Sequence, residues 1–193
     1  MNNHPQKLFL FIKNMNIEKL YASACKEKSD INEHLPILRA IAENCNSKNY
    51  GAGIRVTEFG TRWGISTTAL LAARPQKLTC YDLSFHKKAL ELKNFAGETD
   101  LKMIVGNTLE IEIEQTDFLF IDTYHTYTQL KQELMLHGDK AQVIAMHDTE
   151  TYGIRGADGK EGLKQAIKEY IKDSYWKIVY SCSNNNGLTV IRR

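Results

Sequence analysis

The chain has 193 residues, 42% of them hydrophobic and 25% charged, and a formal net charge of +2. This length fits one domain with a substantial core, and a second full domain is not expected. The charges are spread without a long basic block, so nucleic acid is not predicted as a partner. The apolar run at residues 8–12 is too short to span a membrane and no signal-peptide cleavage site follows it, so we expect a cytoplasmic protein with no membrane contact.

The first part of the chain, residues 1–50, is predicted to form a helical cap segment. Within it, the stretch SDINEHLPILRAIAENC places apolar residues at helical spacing after Ser29 or Asp30, either of which can cap a helix. We expect this segment to cover the edge or the mouth of a domain formed by residues 51–193. A contact between two copies of the chain in a homodimer is an alternative role for this segment.

From Ile54 onwards, short apolar strands alternate with amphipathic helices. Strands are predicted at IRVTEF, KLTCYDL, LKMIVGN, DFLFID and AQVIAMHD, and helices at STTALLAAR, HKKALELKNFAG, YTQLKQELMLHG and LKQAIKEYIKD. The chain closes with YWKIVYSC, the turn SNNNG and LTVIRR, a pattern typical of a hairpin. The alternation predicts an α/β fold with a mostly parallel, doubly wound sheet that helices cover on both faces.

Polar residues follow the carboxyl ends of the predicted strands, the edge at which such sheets bind ligands. Four of these strand ends carry a carboxylate or lie beside one, which suits a cationic or polyhydroxyl ligand better than a phosphate. The residues are Glu58 and Gly60, Asp82, residues 106–108, residues 122–125 and residues 147–149.

The turn VTEFGTRWGIST, residues 56–67, places an acid where a strand passes into a helix. A helix N-terminus attracts phosphate, which Glu58 would repel. Gly60 and Gly64 allow a tight turn, and Asp82, which ends the next strand, has the spacing of an acid that binds ribose hydroxyls. The dinucleotide pattern GxGxxG and the P-loop are both missing. S-adenosylmethionine, a nucleoside with an ammonium and a sulfonium group, fits these features, and Glu58 would be its electrostatic partner.

The stretch TEFGTRWGISTTAL resembles the first motif of class I S-adenosylmethionine-dependent methyltransferases, in the branch of the catechol and caffeoyl-CoA O-methyltransferases. CYDL, DFLFIDTYHTY and VIAMHDT follow in order and are similar to later motifs of that family. The resemblance covers the chain from Ile54 onwards and implies a Rossmann-like seven-stranded sheet of order 3-2-1-4-5-7-6. It also implies methylation of a small-molecule acceptor, which we expect at a hydroxyl of a saccharide or natural product.

The resemblance further implies the residues of the site. By position, Asp122, His147 and Asp148 would be the metal ligands, and His125 would be the base. A histidine at position 147 favours Mn²⁺, Fe²⁺, Zn²⁺ or no metal over Mg²⁺. Contacts with the cofactor are expected from Glu58, Gly60, Thr61, Trp63, Ser66, Asp82, Leu83, Asn107, Thr108 and Asp122.

Two mechanisms stay open for this site. In the first, Asp122, Asp148 and His147 bind a divalent ion that lowers the pKa of the acceptor hydroxyl. In the second, which is metal-free, His125 or His147 removes the proton while Asp122 or Asp148 orients the imidazole. The alternatives to methyl transfer are hydroxylase-like or dehydrogenase chemistry on the same fold, and a scaffold without catalysis.

Two further expectations concern the surroundings of the site. The Gly-bearing segment of residues 151–162 is predicted to be a mobile lid over the acceptor. His34, His86 and His137 lie away from the predicted strand ends and receive no role.

Overall fold

The computed structural model describes residues 16–45 and 53–193. The predicted boundary at residues 50 and 51 and the apolar run at residues 8–12 lie outside the described residues. In the ranges that are described, none of the helices has the length and apolar character needed to cross a membrane.

Seven strands and six α-helices make up the described structure. The helices are α1 (Ile17–Lys26), α2 (Leu35–Asn44), α3 (Ile65–Ala72), α4 (Lys87–Glu91), α5 (Tyr127–His137) and α6 (Leu163–Lys172). The strands are β1 (Arg55–Phe59), β2 (Lys77–Asp82), β3 (Asp100–Val105), β4 (Phe118–Ile121), β5 (Val143–His147), β6 (Lys177–Cys182) and β7 (Leu188–Arg192).

All seven strands form one sheet of order β3-β2-β1-β4-β5-β7-β6. Strands β1 to β5 pair in parallel, and β7 is antiparallel to both β5 and β6. The fold class and the strand order implied by the sequence are therefore confirmed.

The helical segment before the sheet begins its second helix later than predicted. Ser29 and Asp30 do not cap this helix. Helix α2 begins at Leu35 and has Pro36 in its first turn, and a 3₁₀ turn at Asn32–His34 precedes it. Proline is tolerated there because the first N–H groups of a helix lack intrahelical acceptors. Residues 29–34 thus become a connecting segment, which lies across one end of the sheet.

The core divides into two clusters, one on each face of the sheet. On the first face, α2 and α3 pack over the sheet through side chains such as Leu38 and Leu70. On the second face, α5 and α6 pack through side chains such as Leu134 and Ile167. Both faces of the central strands are therefore buried, which is why β4 and β5 read as nearly continuous apolar runs.

The prediction that helices cover both faces fails at the β3 edge. Residues 106–117 connect β3 to β4 as a loop without a helix, and Ile104 and Val105 of β3 are exposed. A βαβ crossover needs about a dozen residues or more, and this connection is at the lower limit. The outer part of that face is therefore covered only in part, while the central strands that form the site stay enclosed.

Candidate active site

The turn after β1 is held against the end of β4 by backbone contacts. Gly60 has a φ of +83°, and a Cβ on it would lie 1.9 Å from the carbonyl oxygen of Asp122. The amide of Asp122 donates to Phe59 O, which fixes the two strand ends side by side. Only glycine combines this left-handed backbone with this approach, so Gly60 sets the position of Asp122.

Glu58 lies beneath this turn rather than in an open cleft. Its side chain is fully buried, and its carboxylate accepts hydrogen bonds from the hydroxyls of Thr61, Ser66 and Thr67 at 3.1, 2.6 and 2.6 Å. Burial raises the pKa of Glu58, and these hydroxyls oppose the shift. Glu58, Thr61 and Ser66, which are predicted to contact the cofactor, bond to one another in this structure and organise the turn. Direct contact between Glu58 and the cofactor stays a prediction.

Asp82, at the end of β2, also binds the turn. One carboxylate oxygen accepts the amides of Thr61 and Arg62 at 2.9 and 2.8 Å, and the other accepts the amide of Ser84 at 3.2 Å. Each oxygen has two lone pairs, so Oδ1 keeps capacity for one further donor. Leu83, beside it, is exposed. Asp82 thus keeps one acceptor position at the rim of the turn, and its contact with a ribose hydroxyl stays a prediction.

Asn107 and Thr108, predicted to contact the cofactor, are engaged within the protein. The side-chain oxygen of Asn107 accepts the amide of Leu109, and its nitrogen donates to Glu110. The hydroxyl of Thr108 donates to buried Glu133 at 2.6 Å, and Glu133 also accepts the hydroxyl of Thr123. These bonds shape the loops on either side of β4, and contact with an adenine stays a prediction.

Asp122, His125 and Asp148 converge at the ends of β4 and β5. Nε2 of His125 lies 3.3 Å from Oδ1 of Asp122 and 2.8 Å from Oδ2 of Asp148. One side-chain donor atom from each of the three lies within 4.8 Å of the others. Asp148 adopts a left-handed backbone with a φ of +59°, which is uncommon outside glycine, and its Oδ1 is buried with no hydrogen-bond partner among residues 16–45 and 53–193.

His147 approaches the same carboxylates from the interior of the sheet. Its Nδ1 lies 3.5 Å from both Asp122 Oδ1 and Asp148 Oδ2, and the ring is almost completely buried. The structure therefore brings all four predicted polar residues together. It gives His125 the closer contacts, whereas the sequence analysis placed His147 in the metal set.

His34 is a residue at this site that the sequence analysis missed. Its buried ring packs edge-on against His147, with centroids 5.2 Å apart, and its Nε2 lies 3.4 Å from Cys182 Sγ. No local pattern in the sequence indicates this contact, since the fold brings residues 29–34 to the strand ends from a distant part of the chain.

The electrostatics of the cluster favour protons on both imidazoles. Burial opposes a positive charge, but the carboxylates of Asp122 and Asp148 outweigh it and raise the pKa of His125 to about 9 and that of His147 to about 10. Burial alone would raise the pKa of each aspartate, and the same histidines lower it instead. The protonated imidazoles of His125 and His147 thus balance the negative charge of the two carboxylates, at the place where a divalent cation would do the same.

A cleft of about 360 Å³ lies between this cluster and the turn after β1. Trp63, with 47% of its surface exposed, forms part of one side. The N-terminus of α3 reaches the cleft through Ile65 and Ser66, and within the described residues no side chain caps it. The lining residues are Asp30, Ile31, Gly60, Thr61, Arg62, Trp63, Ile65, Ser66, Asp122, Thr123, His125 and Asp148.

The segment of residues 151–162, predicted to be a lid, packs onto the cluster as a small hairpin. The backbones of Arg155 and Glu161 pair as an isolated antiparallel β-bridge. The amide of Ala157 donates to the carbonyl oxygen of His125 at 2.8 Å. The Tyr152 ring stacks on the His125 ring with centroids 4.8 Å apart and planes 7° apart. Tyr152 thus contacts a face of the His125 ring, while the carboxylates contact its edge at Nε2. Lid motion stays a prediction.

The donor set fits a divalent ion. Two carboxylates and one or two imidazoles suit Mn²⁺, Fe²⁺ or Zn²⁺ better than Mg²⁺, which prefers an all-oxygen shell. The unpartnered Oδ1 of Asp148 adds a free acceptor to the cluster. Asp122, His125 and Asp148 are therefore the residues that could hold a metal, with His147 directly behind them.

No protein-family model and no curated protein matches the sequence. Solved structures of methyltransferases have the same fold at low sequence identity. A Staphylococcus aureus protein assigned as a caffeoyl-CoA O-methyltransferase aligns with a TM-score of 0.63 at 16% identity, covering 97% of this chain and 98% of its own.

Two ligand-bound structures align comparably. The Streptomyces achromogenes O-methyltransferase TomG, in complex with S-adenosylmethionine, aligns with a TM-score of 0.60 at 15% identity, covering 90% of this chain and 88% of its own. The Bradyrhizobium japonicum N-methyltransferase NodS, in complex with S-adenosylhomocysteine, aligns at 0.60 and 13% identity, covering 93% and 99%. This chain therefore has the fold of class I S-adenosylmethionine-dependent methyltransferases.

Proposed function

We propose that the protein transfers a methyl group from S-adenosylmethionine to a hydroxyl of a small molecule, a saccharide or a natural product, at a site that includes a divalent ion. The observation that supports this most directly is the convergence of Asp122, His125 and Asp148 at one end of a cleft whose other side is the turn after β1. A donor bound at the turn and an acceptor bound at the cluster would meet in that cleft.

The residues of the turn supply the contacts that the donor needs. The uncapped N-terminus of α3 offers free N–H groups to the carboxylate of the methionine part. Asp82 keeps capacity to accept a ribose hydroxyl, and the exposed ring of Trp63 provides an apolar surface beside the cleft. In this proposal Glu58 acts beneath the turn, where its bonds hold Ser66 and Thr61 in place.

The cluster supplies the contacts for the acceptor. A divalent ion held by Asp122, His125 and Asp148 would lower the pKa of an acceptor hydroxyl near it. Tyr152 holds the ring of His125 in one orientation. If His125 is instead the base of a metal-free reaction, it must first lose the proton that both carboxylates stabilise, because a pKa of about 9 leaves the ring protonated near neutral pH and unable to accept another proton.

The protein's contribution to the chemical step is alignment. Methyl transfer breaks the bond from the sulfonium sulfur to the methyl carbon as the acceptor oxygen forms its own bond to that carbon. The S–C electron pair stays on sulfur as a neutral thioether, and the hydroxyl proton of the acceptor passes to water or, in the metal-free reaction, to deprotonated His125. Holding two reactants in line contributes up to about 7 to 11 kcal/mol in favourable cases. The rigid backbone contact between Gly60 and Asp122 fixes the distance between the two halves of the cleft.

Calorimetric titration tests both parts of the proposal. Chelator-treated protein is titrated with S-adenosylhomocysteine, and separately with Mn²⁺, Zn²⁺ and Mg²⁺. We expect micromolar binding of the nucleoside, and tighter binding of Mn²⁺ and Zn²⁺ than of Mg²⁺. Asp148→Asn is expected to remove metal binding while retaining the left-handed backbone, which asparagine tolerates.

Asp139→Asn is the matched control, because Asp139 is an exposed aspartate whose side chain keeps 92% of its surface accessible. It should bind metal and nucleoside as the wild type does. Absence of nucleoside binding under every condition would contradict methyl transfer. Equal metal binding by Asp148→Asn and Asp139→Asn would show that the ion, if present, binds elsewhere.

A further inference from the structure

The turn between β6 and β7 does more than reverse the chain. Three consecutive residues have left-handed backbones, with φ values of +46° at Asn185, +72° at Asn186 and +93° at Gly187. Asparagine and glycine tolerate this conformation best, which explains the sequence SNNNG. The polar groups of this turn contact two other parts of the chain.

The side chain of Asn185 binds the segment of residues 29–34, here called the cleft wall. Its Oδ1 accepts the amide of Glu33 at 3.0 Å, and its Nδ2 donates to the carbonyl oxygen of Ser29 at 2.9 Å. The cleft wall contributes Asp30 and Ile31 to the lining of the cleft. The Asn185 amide therefore bonds to both ends of the segment that closes this side of the cleft, and Asn184 Nδ2 adds one bond to the Glu33 carboxylate.

The backbone of Asn185 contacts the catalytic cluster. Its carbonyl oxygen lies 3.2 Å from Nε2 of His147. A carbonyl can only accept, so Nε2 carries the hydrogen, and Nδ1 faces the carboxylates of Asp122 and Asp148. A backbone acceptor on the far nitrogen is a common way to fix the orientation of a functional histidine.

We propose that Asn185 is a positioning residue with two separable actions. Its side chain holds the cleft wall over the cleft, and its carbonyl oxygen orients His147 toward the carboxylates. The adjacent Asn186 serves a different part of the structure, since its carbonyl accepts the amides of Glu150 and Thr151 and its side chain accepts the Thr151 hydroxyl. The meaning of this arrangement for catalysis rests on the proposed function, whereas the contact with the cleft wall does not.

Asn185→Gly and Asn186→Gly form a matched pair. Each variant removes one amide from a left-handed position that glycine occupies without strain, and each makes the turn equally more flexible. Only Asn185→Gly loses the two bonds to the cleft wall. Hydrogen exchange followed by mass spectrometry should show exchange of the backbone amides in residues 29–34 rising about tenfold or more in Asn185→Gly. The same amides should exchange as in the wild type in Asn186→Gly.

A second measurement separates the two actions of Asn185. The Nε2–H proton of His147, observed in ¹H–¹⁵N spectra, should keep its wild-type signal in Asn185→Gly because the carbonyl acceptor is retained. S-adenosylhomocysteine should bind about threefold to tenfold more weakly to Asn185→Gly than to Asn186→Gly, as expected for the loss of one or two hydrogen bonds at the wall.

The outcomes distinguish this inference from the proposed function. Equal exchange at residues 29–34 in both variants would overturn the role of the Asn185 side chain. Loss of the His147 signal in Asn185→Gly would overturn the separation of the two actions. If the wild type binds no S-adenosylhomocysteine while exchange in the cleft wall rises only in Asn185→Gly, the proposed function fails and the structural role of Asn185 holds.

Discussion

Replacement of Gly60 by alanine tests the contact that joins the two halves of the site. The left-handed φ of +83° costs an alanine about 1 to 2 kcal/mol. The added Cβ would lie 1.9 Å from the carbonyl oxygen of Asp122 and 2.7 Å from its carbonyl carbon. Both are backbone atoms, so the ends of β1 and β4 must move apart, and overpacking of this kind costs about 1 to 3 kcal/mol more. We expect Gly60→Ala to lose about 2 to 5 kcal/mol of unfolding free energy.

Gly97→Ala is the control for this experiment. Gly97 also has a positive φ, +59°, but apart from its own atoms and those of its chain neighbours no described atom lies within 4 Å of the position where its Cβ would be. This variant should lose only the conformational cost of about 1 to 2 kcal/mol. Urea denaturation of both variants gives the two free energies, and titration with S-adenosylhomocysteine shows whether the cleft survives. Equal destabilisation of the two variants, with intact binding in Gly60→Ala, would refute the close approach between the turn and Asp122.

Two further predictions concern residues around the cluster. Tyr152→Leu should lower the turnover number about threefold to tenfold because the stacked ring no longer holds His125, whereas Tyr152→Phe should retain activity; equal loss in both would implicate the hydroxyl instead. Because burial raises the pKa of Glu58, the folded state binds its proton more tightly than the unfolded state, so wild-type stability should fall relative to Glu58→Gln as the pH rises above about 4.5. Urea unfolding of both proteins from pH 4.5 to 8 measures the difference in their unfolding free energies. If the wild type instead gained stability relative to Glu58→Gln as the pH rises, the hydroxyls around Glu58 would outweigh burial.

Much of the fold follows from periodicity in the sequence. The central strands are short apolar runs bounded by turn residues, and the strand order is implied by the resemblance of the motifs alone. The sequence already indicates that no helix connects β3 to β4, because the apolar residues of 106–117 do not have helical spacing. Its consequence, an exposed outer face of β3, depends on packing that no local pattern records.

The candidate site was predictable in its members and less so in their roles. Asp122, His125 and Asp148 follow strand ends, so the sheet alone brings them together. The sequence does not show whether Glu58 faces a ligand or the hydroxyls of the following turn, because that depends on side-chain rotamers. Nor does it show that His34 reaches His147, since this contact exists only after the whole sheet has formed.

The bonds between Asn185 and the cleft wall also bear on the order in which the protein can assemble. Glu33 and Asn185 are 152 positions apart in the chain, yet one hydrogen bond joins them at the mouth of the cleft. During synthesis, the cleft wall emerges early, but its two bonds to Asn185 form only after the turn between β6 and β7 has been made. Contacts of such long sequence separation form late, because loop closure must be complete first. A chain that lacks β6 and β7 therefore lacks the bonds that hold the cleft wall in place, and the closed cleft requires this hairpin.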